Sequence, residues 1–332
     1  MARVAMITGA SRGIGAATAL VLAGRGYRVV VNYRATAPQA EEVVATIAAA
    51  GGEAMAIQAD VTVPDEVTAM VDQIDQLWGG VDVLVHNALT PYAITSFAEL
   101  SWEELGGKLD SELRAAFLTT KAVAPGMISR GYGRLIYLST GLSRRPRDGM
   151  ITLGTAKAAL DQFVRYVALE LAPHGITANL VAPATVEGSR QTEQLTTEQQ
   201  HELAAATPMR RFVRPDEVAK TVAFLAGEDS GFTTGHYLPV NGGLAMDLTR
   251  PARAHALAHH RTVARPVAGL LAARGRGSTG HTNPHHGLRA GARPKFVKYR
   301  IHWDVTVQDV APLAGAGATY CAGRMTTSAW HA

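Results

Sequence analysis

The chain has 332 residues, of which 47% are hydrophobic and 18% charged, enough apolar material for a sizeable core. No apolar run reaches the roughly 20 residues of a membrane helix, and Met1-Ala2-Arg3-Val4 passes at once into strand-like sequence, so a cytosolic protein is expected. The net charge of +4 conceals two unlike parts: residues 1–249 hold 20 Lys and Arg against 26 Asp and Glu, and residues 250–332 hold 12 against 2.

From Arg3 to about Asn241, short apolar runs alternate with helix-length amphipathic stretches, the pattern of repeated βαβ units. Seven strands are predicted, at Val4–Thr8, Arg28–Tyr33, Glu53–Ala59, Val81–Asn87, Gly133–Ser139, Ile176–Ala182 and His236–Val240. Between them helices are predicted to begin near Gly13, Pro38, Pro64, Ser101, Met150 and Pro215, several opened by a capping residue or a first-turn proline. The expected fold is a Rossmann-type doubly wound parallel sheet of seven strands with helices on both faces, occupying residues 1–249.

Arg250-Pro251 opens a change of composition. Residues 250–332 carry eight of the twelve histidines, abundant Gly, Pro and Arg and little periodicity, and read as a basic extension that is largely disordered. The alternating stretch from Phe296 to Val305 could form a strand-like arm, and the basic charge could serve an acidic partner, but no nucleic-acid or membrane partner is expected. The pairs His259-His260 and His285-His286 would bind a metal only incidentally, and no metal site is expected in residues 1–249. The lone Cys321 excludes an internal disulfide.

The strongest local signal is Thr8-Gly9-Ala10-Ser11-Arg12-Gly13-Ile14-Gly15, which follows the first strand and opens the first helix. Glycines there let the backbone approach a pyrophosphate at a helix N-terminus. Glycines at 9, 13 and 15 resemble the fingerprint of the short-chain dehydrogenase/reductase family. So do Asp60-Val61, similar to its adenine-contacting pair, and Asn87-Ala88-Leu89, similar to its Asn-Ala-Gly turn. Arg214-Pro215-Asp216-Glu217-Val218-Ala219 and Val240-Asn241-Gly242-Gly243 resemble two further signatures. An NAD-selective site wants an acidic residue at the end of the second strand. Asn32-Tyr33-Arg34 stands there instead, with Arg12 in the glycine loop, so NADP(H) is the expected cofactor, its 2′-phosphate met by two guanidiniums.

The same resemblance implies a Tyr-x-x-x-Lys pair, a serine and an asparagine at the reacting centre. Lys157 falls on the lysine position, but the tyrosine position holds Leu153; the serine position holds Thr140, with Ser139 before it, and the asparagine position aligns with Glu112. Leucine donates no proton. A tyrosine seven residues before the lysine, as in some enoyl-thioester reductases, is also missing, since Met150 stands there. Tyr92 and Tyr137 remain as phenols, with Tyr92 favoured because loops at the carboxyl ends of strands line the cleft. His86 reads as a structural histidine. In Leu180-Val181-Ala182-Pro183-Ala184-Thr185-Val186, Pro183 begins the family's turn and Val186 would present its backbone to the nicotinamide; the polar helical stretch from Glu187 to about Arg210 resembles a mobile substrate flap.

Three functions follow as expectations: an NADPH-dependent reductase of a carbonyl on a small-molecule or carrier-bound acyl substrate with an atypical proton donor, an enoyl-thioester reductase, or a non-catalytic NADP(H)-binding subunit or sensor. The resemblance also implies a homo-tetramer or homo-dimer, built through the helices that flank the fourth and fifth strands.

Overall fold

The computed structural model describes residues 2–245, together with two short strands at Tyr320–Cys321 and Arg324–Met325 that pair antiparallel. The chain divides into two units, Met1–Arg253 and Ala254–Ala332. The expectations for the rest of the C-terminal extension, the Phe296 to Val305 arm among them, lie outside the described residues.

The first unit alternates strand and helix. Its strands are β1 (Val4–Ile7), β2 (Arg28–Tyr33), β3 (Ala54–Gln58), β4 (Val83–His86), β5 (Gly133–Leu138), β6 (Ile176–Pro183) and β7 (Tyr237–Val240). Its helices are α1 (Gly13–Ala23), α2 (Ala37–Ala49), α3 (Pro64–Trp78), α4 (Trp102–Arg130), α5 (Ile151–Leu171), α6 (Arg190–Glu193), α7 (Thr197–Ala205) and α8 (Pro215–Ala226). All seven expected strands form, each within two residues of its expected ends. The sheet order is β3-β2-β1-β4-β5-β6-β7, and every neighbouring pair is parallel.

Apolar residues fill both faces because each strand is sandwiched between helix layers. Alternate residues of β1 show this directly. Val4 and Met6 join Leu84, Leu135, Leu180 and the inward stripes of α3, α4 and α5 in one core. Ala5 and Ile7 join Val31, Val85, Ile136, Val181 and the stripes of α1, α2 and α8 in the other. Local chemistry sets the helix ends. Ser101 and Glu104 form a reciprocal capping box at the start of α4, and Gly131, with φ of 64°, closes it in the left-handed region.

Crossovers leave β1 toward β2 and β3 on one side, while β4 and β5 lie on the other, so the sheet changes winding direction between β1 and β4. That is the place where a doubly wound sheet opens a crevice outside its carboxyl ends. The loops after β1, β4, β5 and β6 converge there. Among the described residues no helix is long and apolar enough to cross a membrane.

Candidate active site

The glycine loop is built around positions that reject a side chain. Gly9 has φ of 63°, and a Cβ there would lie 2.9 Å from the Ala88 Cα; Gly13 has φ of 56° and open space where its Cβ would be. A Cβ on Gly15 would come within 2.6 Å of both the Asn87 amide nitrogen and the Gly9 carbonyl. Gly15→Ala should therefore push α1 away from the loop. The expected result is a melting temperature lower by roughly 5 °C or more and loss of nicotinamide-cofactor binding, read by calorimetry and fluorescence titration.

Asn87 clamps this loop from the neighbouring strand. Its side-chain amide donates to the carbonyls of Thr8 and Gly9, both at 3.0 Å, while its own backbone N–H and that of Ala88 donate to Thr8 Oγ1. Asn32 performs the same service from β2. Buried, it accepts from the Gly9 N–H and donates to the carbonyls of Ile57 and Ala59, so its amide ties strands rather than facing a ribose. Ser11 accepts a 2.7 Å hydrogen bond from Thr36, and Ile14 packs against the core beneath the loop.

Arg12 occupies the N-cap position of α1 in extended backbone, exposed, and no side chain caps the helix. The first-turn N–H groups of α1 therefore have no side-chain cap. Arg34, at the end of β2, is also exposed and lies 3.6 Å from the Asp60 carboxylate. Asp60 accepts from both the backbone and the hydroxyl of Thr62; burial works against its charge, but these hydrogen bonds and Arg34 outweigh it and hold its pKa below the ordinary value. Val61 is buried in the core behind it. The free helix N-terminus, the open side of Gly13 and the two exposed arginines fit a dinucleotide with its pyrophosphate over the loop.

The side chains expected at a reacting centre lie between α4 and α5. Lys157 is buried, donates to the Leu138 carbonyl at 2.6 Å, and has its ammonium 2.6 Å from Glu112 Oε1. The other oxygen of Glu112 accepts from Lys108 at 2.6 Å, and Lys108 also donates to the hydroxyl and carbonyl of Thr90, at 2.8 and 3.0 Å. These side chains are almost wholly inaccessible, a chain of three charges buried on adjacent helices. Burial opposes ionisation of Glu112, yet Lys157, Lys108 and the Lys108 hydrogen bond together hold its pKa well below the usual carboxylate range. His86, at the end of β4, is fully buried with Nδ1 3.5 Å from Thr119, and burial pushes its pKa down to about 4, so it is neutral.

The hydroxyls that follow β5 are used unequally. Ser139 donates to Asp161 Oδ1 at 2.5 Å, and Ser143 donates to the other oxygen at 2.7 Å. Burial raises the Asp161 pKa against those two bonds. Thr140 is half-buried; its hydroxyl oxygen accepts from the Leu142 N–H at 3.4 Å, which leaves the O–H able to donate. Leu153 is buried in the first turn of α5 and Met150 just before it. Tyr137 lies in the core with its hydroxyl 2.6 Å from Thr120, away from the crevice. Tyr92, half-buried in the loop after β4, has its ring centroid 5.8 Å from the Lys108 ammonium.

Pro183 ends β6 opposite Val240, and Val186 bridges to Val213. The Val186 carbonyl accepts from Ser189 and Thr192, which anchors the start of the segment carrying α6 and α7. Lys108 had no sequence signal beyond its place four residues before Glu112; that helical spacing is the pattern from which the pair is recoverable. Asp161, four residues after Lys157, is the same case.

The model of a family described as enoyl-(acyl carrier protein) reductase matches residues 9–245. A 3-oxoacyl-[acyl-carrier-protein] reductase of Synechocystis sp. is 39% identical over 246 residues, covering 74% of this chain and 98% of that protein. An acetoacetyl-CoA reductase of Allochromatium vinosum is 36% identical over 249 residues, covering 74% and 100%. Among solved structures, YwfH, an NADPH-dependent reductase involved in bacilysin biosynthesis, superposes with a TM-score of 0.70 at 26% identity, over 75% of this chain and 100% of that one. An NAD+-bound xylitol dehydrogenase superposes with a TM-score of 0.68 at 30% identity, over 73% and 98%.

Proposed function

The chain belongs to the short-chain dehydrogenase/reductase family, and on that premise we propose that it is an NADPH-dependent oxidoreductase reducing a carbonyl of an acyl-thioester or polyketide-like substrate, with a proton donor other than the family's tyrosine. The observation that carries this reading is Lys157: a buried ammonium fixed by Leu138 and Glu112, with one N–H uncommitted among the described residues. The similarity to 3-oxoacyl and acetoacetyl reductases supplies the substrate class. The cofactor, when bound, supplies the hydride. The loop from Gly9 to Gly15 would hold its pyrophosphate, Asp60, Val61, Asn87 and Ala88 its adenosine side and the strand-end turn, and Lys157, Pro183 and Val186 its nicotinamide end.

Each remaining task falls to a residue of suitable chemistry. Thr140 orients the substrate oxygen through its spare O–H, and Lys157 stabilises the negative charge that gathers on that oxygen. The proton comes from Tyr92 or from a water held on Lys157; loss of carbonyl reduction in Tyr92→Phe identifies the phenol, and its persistence the water. Ser139 supports the site through Asp161 instead of meeting substrate. The protein is read as a cytoplasmic homo-oligomer, with residues 250–332 an extension outside the reductase domain.

Arg12 and Arg34 set the cofactor preference in this reading. Each Arg→Ala change is expected to weaken NADPH binding roughly tenfold, one charge-assisted contact apiece, while NADH binding stays within a factor of two. Equal losses for both cofactors in a fluorescence titration would remove the arginines from the 2′-phosphate.

A second reading is an enoyl-thioester reductase, favoured by the description of the matched family and by the apolar Leu153 and Met150. There the charge spreads into an enolate and the missing tyrosine matters less. Incubation with NADPH and paired 3-oxoacyl and 2-enoyl thioesters decides between the two. Consumption of the ketone alone supports carbonyl reduction, consumption of the enoyl ester alone overturns it, and tight NADPH binding with no turnover of either leaves a binding subunit.

A further inference from the structure

Lys108 and Glu112 lie one helical turn apart on α4, and nothing in a surface-helix pattern calls for two buried charges there. A buried ion pair costs several kcal/mol per charge in desolvation and rarely repays that as stability. The allocation of hydrogen bonds shows what the pair holds. All three ammonium protons of Lys108 have acceptors: the Thr90 carbonyl, the Thr90 hydroxyl and Glu112 Oε2. Lys157 is bonded to the Leu138 carbonyl and set against Glu112 Oε1, which leaves its third proton without an acceptor among the described residues.

We propose that Glu112 is a positioning residue that aims and charges Lys157, and that Lys108 is the counter-cation that keeps the cluster net positive. With Glu112 alone, Lys157 would be half of a neutral pair, with little charge to offer a ligand oxygen. The second ammonium restores a net charge of +1, and because it is saturated by Thr90 and Glu112 the available proton belongs to Lys157. Lys108 also ties the loop after β4, through Thr90, to the same cluster, so the loop bearing Tyr92 is held relative to Lys157. The charged and titratable groups facing Lys157 are Glu112 and Lys108 on α4, neutral His86 on β4 and Asp161 on its own helix. The inference rests on Lys157 being the ammonium at the reacting centre, as proposed above.

The test uses the full chain labelled with 13C at lysine Cε, the Lys157 resonance being assigned by its disappearance in Lys157→Met. Its titration midpoint is followed in the parent, Lys108→Met, Glu112→Gln and the double variant, alongside the pH dependence of NADPH binding. An opposite charge in direct contact moves a midpoint by about one to three units. The expected order is Lys108→Met above the parent, the double variant below it, and Glu112→Gln lowest, by at least about one unit. The alkaline limb of NADPH binding should move down with Glu112→Gln by the same amount. The double variant leaves Lys157 as the one charge of the three and keeps the net +1 of the parent, so it gives a second reading of the midpoint if a single variant fails to fold. A Lys157 midpoint unchanged in Glu112→Gln or in the double variant, or one that falls in Lys108→Met, overturns the proposal. Failure of the parent to bind NADPH would instead sink the reductase reading, and the lysine midpoints would still decide the pair.

Discussion

Replacing Lys157 by methionine is expected to lower NADPH-dependent turnover by on the order of a thousandfold. Methionine keeps much of the length and apolar stem of the lysine, so the packing of α5 against β5 changes little. What disappears is the ammonium bonded to Leu138 and facing Glu112. The cluster goes from net +1 to neutral, and Glu112 keeps Lys108 as its partner, which limits the folding penalty. Removing one preorganised donor from a developing oxyanion typically costs 10²–10³ in turnover, and this change removes a full charge as well. Single-turnover measurements under saturating NADPH separate the chemical loss from weaker cofactor binding. A folded Lys157→Met protein retaining more than about a tenth of the parent's turnover would show that the oxyanion is stabilised elsewhere.

The sequence makes the scaffold legible because its signals are periodic and local. Seven apolar runs spaced by helix-length segments specify a parallel sheet buried on both faces, and proline or serine at helix starts marks the boundaries at Pro64, Ser101 and Pro215. The glycine loop is legible for the same reason: φ near +60° at Gly9 and Gly13, and backbone contacts under 3 Å at Gly9 and Gly15, leave glycine as the residue that fits. The charge cluster was not legible. Glu112 draws notice only as a departure from an asparagine, and Lys108 looks like a solvated lysine until α4 is seen to turn that face toward α5. Asn32 was equally illegible: the sequence marks it only as the absence of an acidic residue at the end of β2, while its side chain ties Gly9, Ile57 and Ala59 together. Periodicity tells which face of an element is buried; it does not tell what a polar side chain meets once it is inside.

Leu153→Tyr should raise carbonyl reduction by about 10² or more, the increment a positioned general acid contributes. Position 153 lies four residues before Lys157, so a phenol there shares the helix face of the ammonium that would polarise it. The ring must replace a buried leucine, which costs about 1–3 kcal/mol of stability in a packed site and is checked by thermal melting. The gain depends on how the parent obtains its proton. If water on Lys157 delivers it, the new phenol supplies what was scarce and the rate rises for ketones, while enoyl reduction, whose charge spreads over an enolate, changes little. If Tyr92 already serves, the gain shrinks below tenfold, and Tyr92→Phe in the Leu153→Tyr background leaves the rate unaltered although it stops the parent. A folded Leu153→Tyr protein that binds NADPH as the parent does yet gains nothing, in a background where Tyr92→Phe is silent, would show that the crevice does not seat a carbonyl over this lysine at all. The two phenol variants together therefore locate the proton, and the location of the proton decides whether the family's scaffold here still carries carbonyl chemistry.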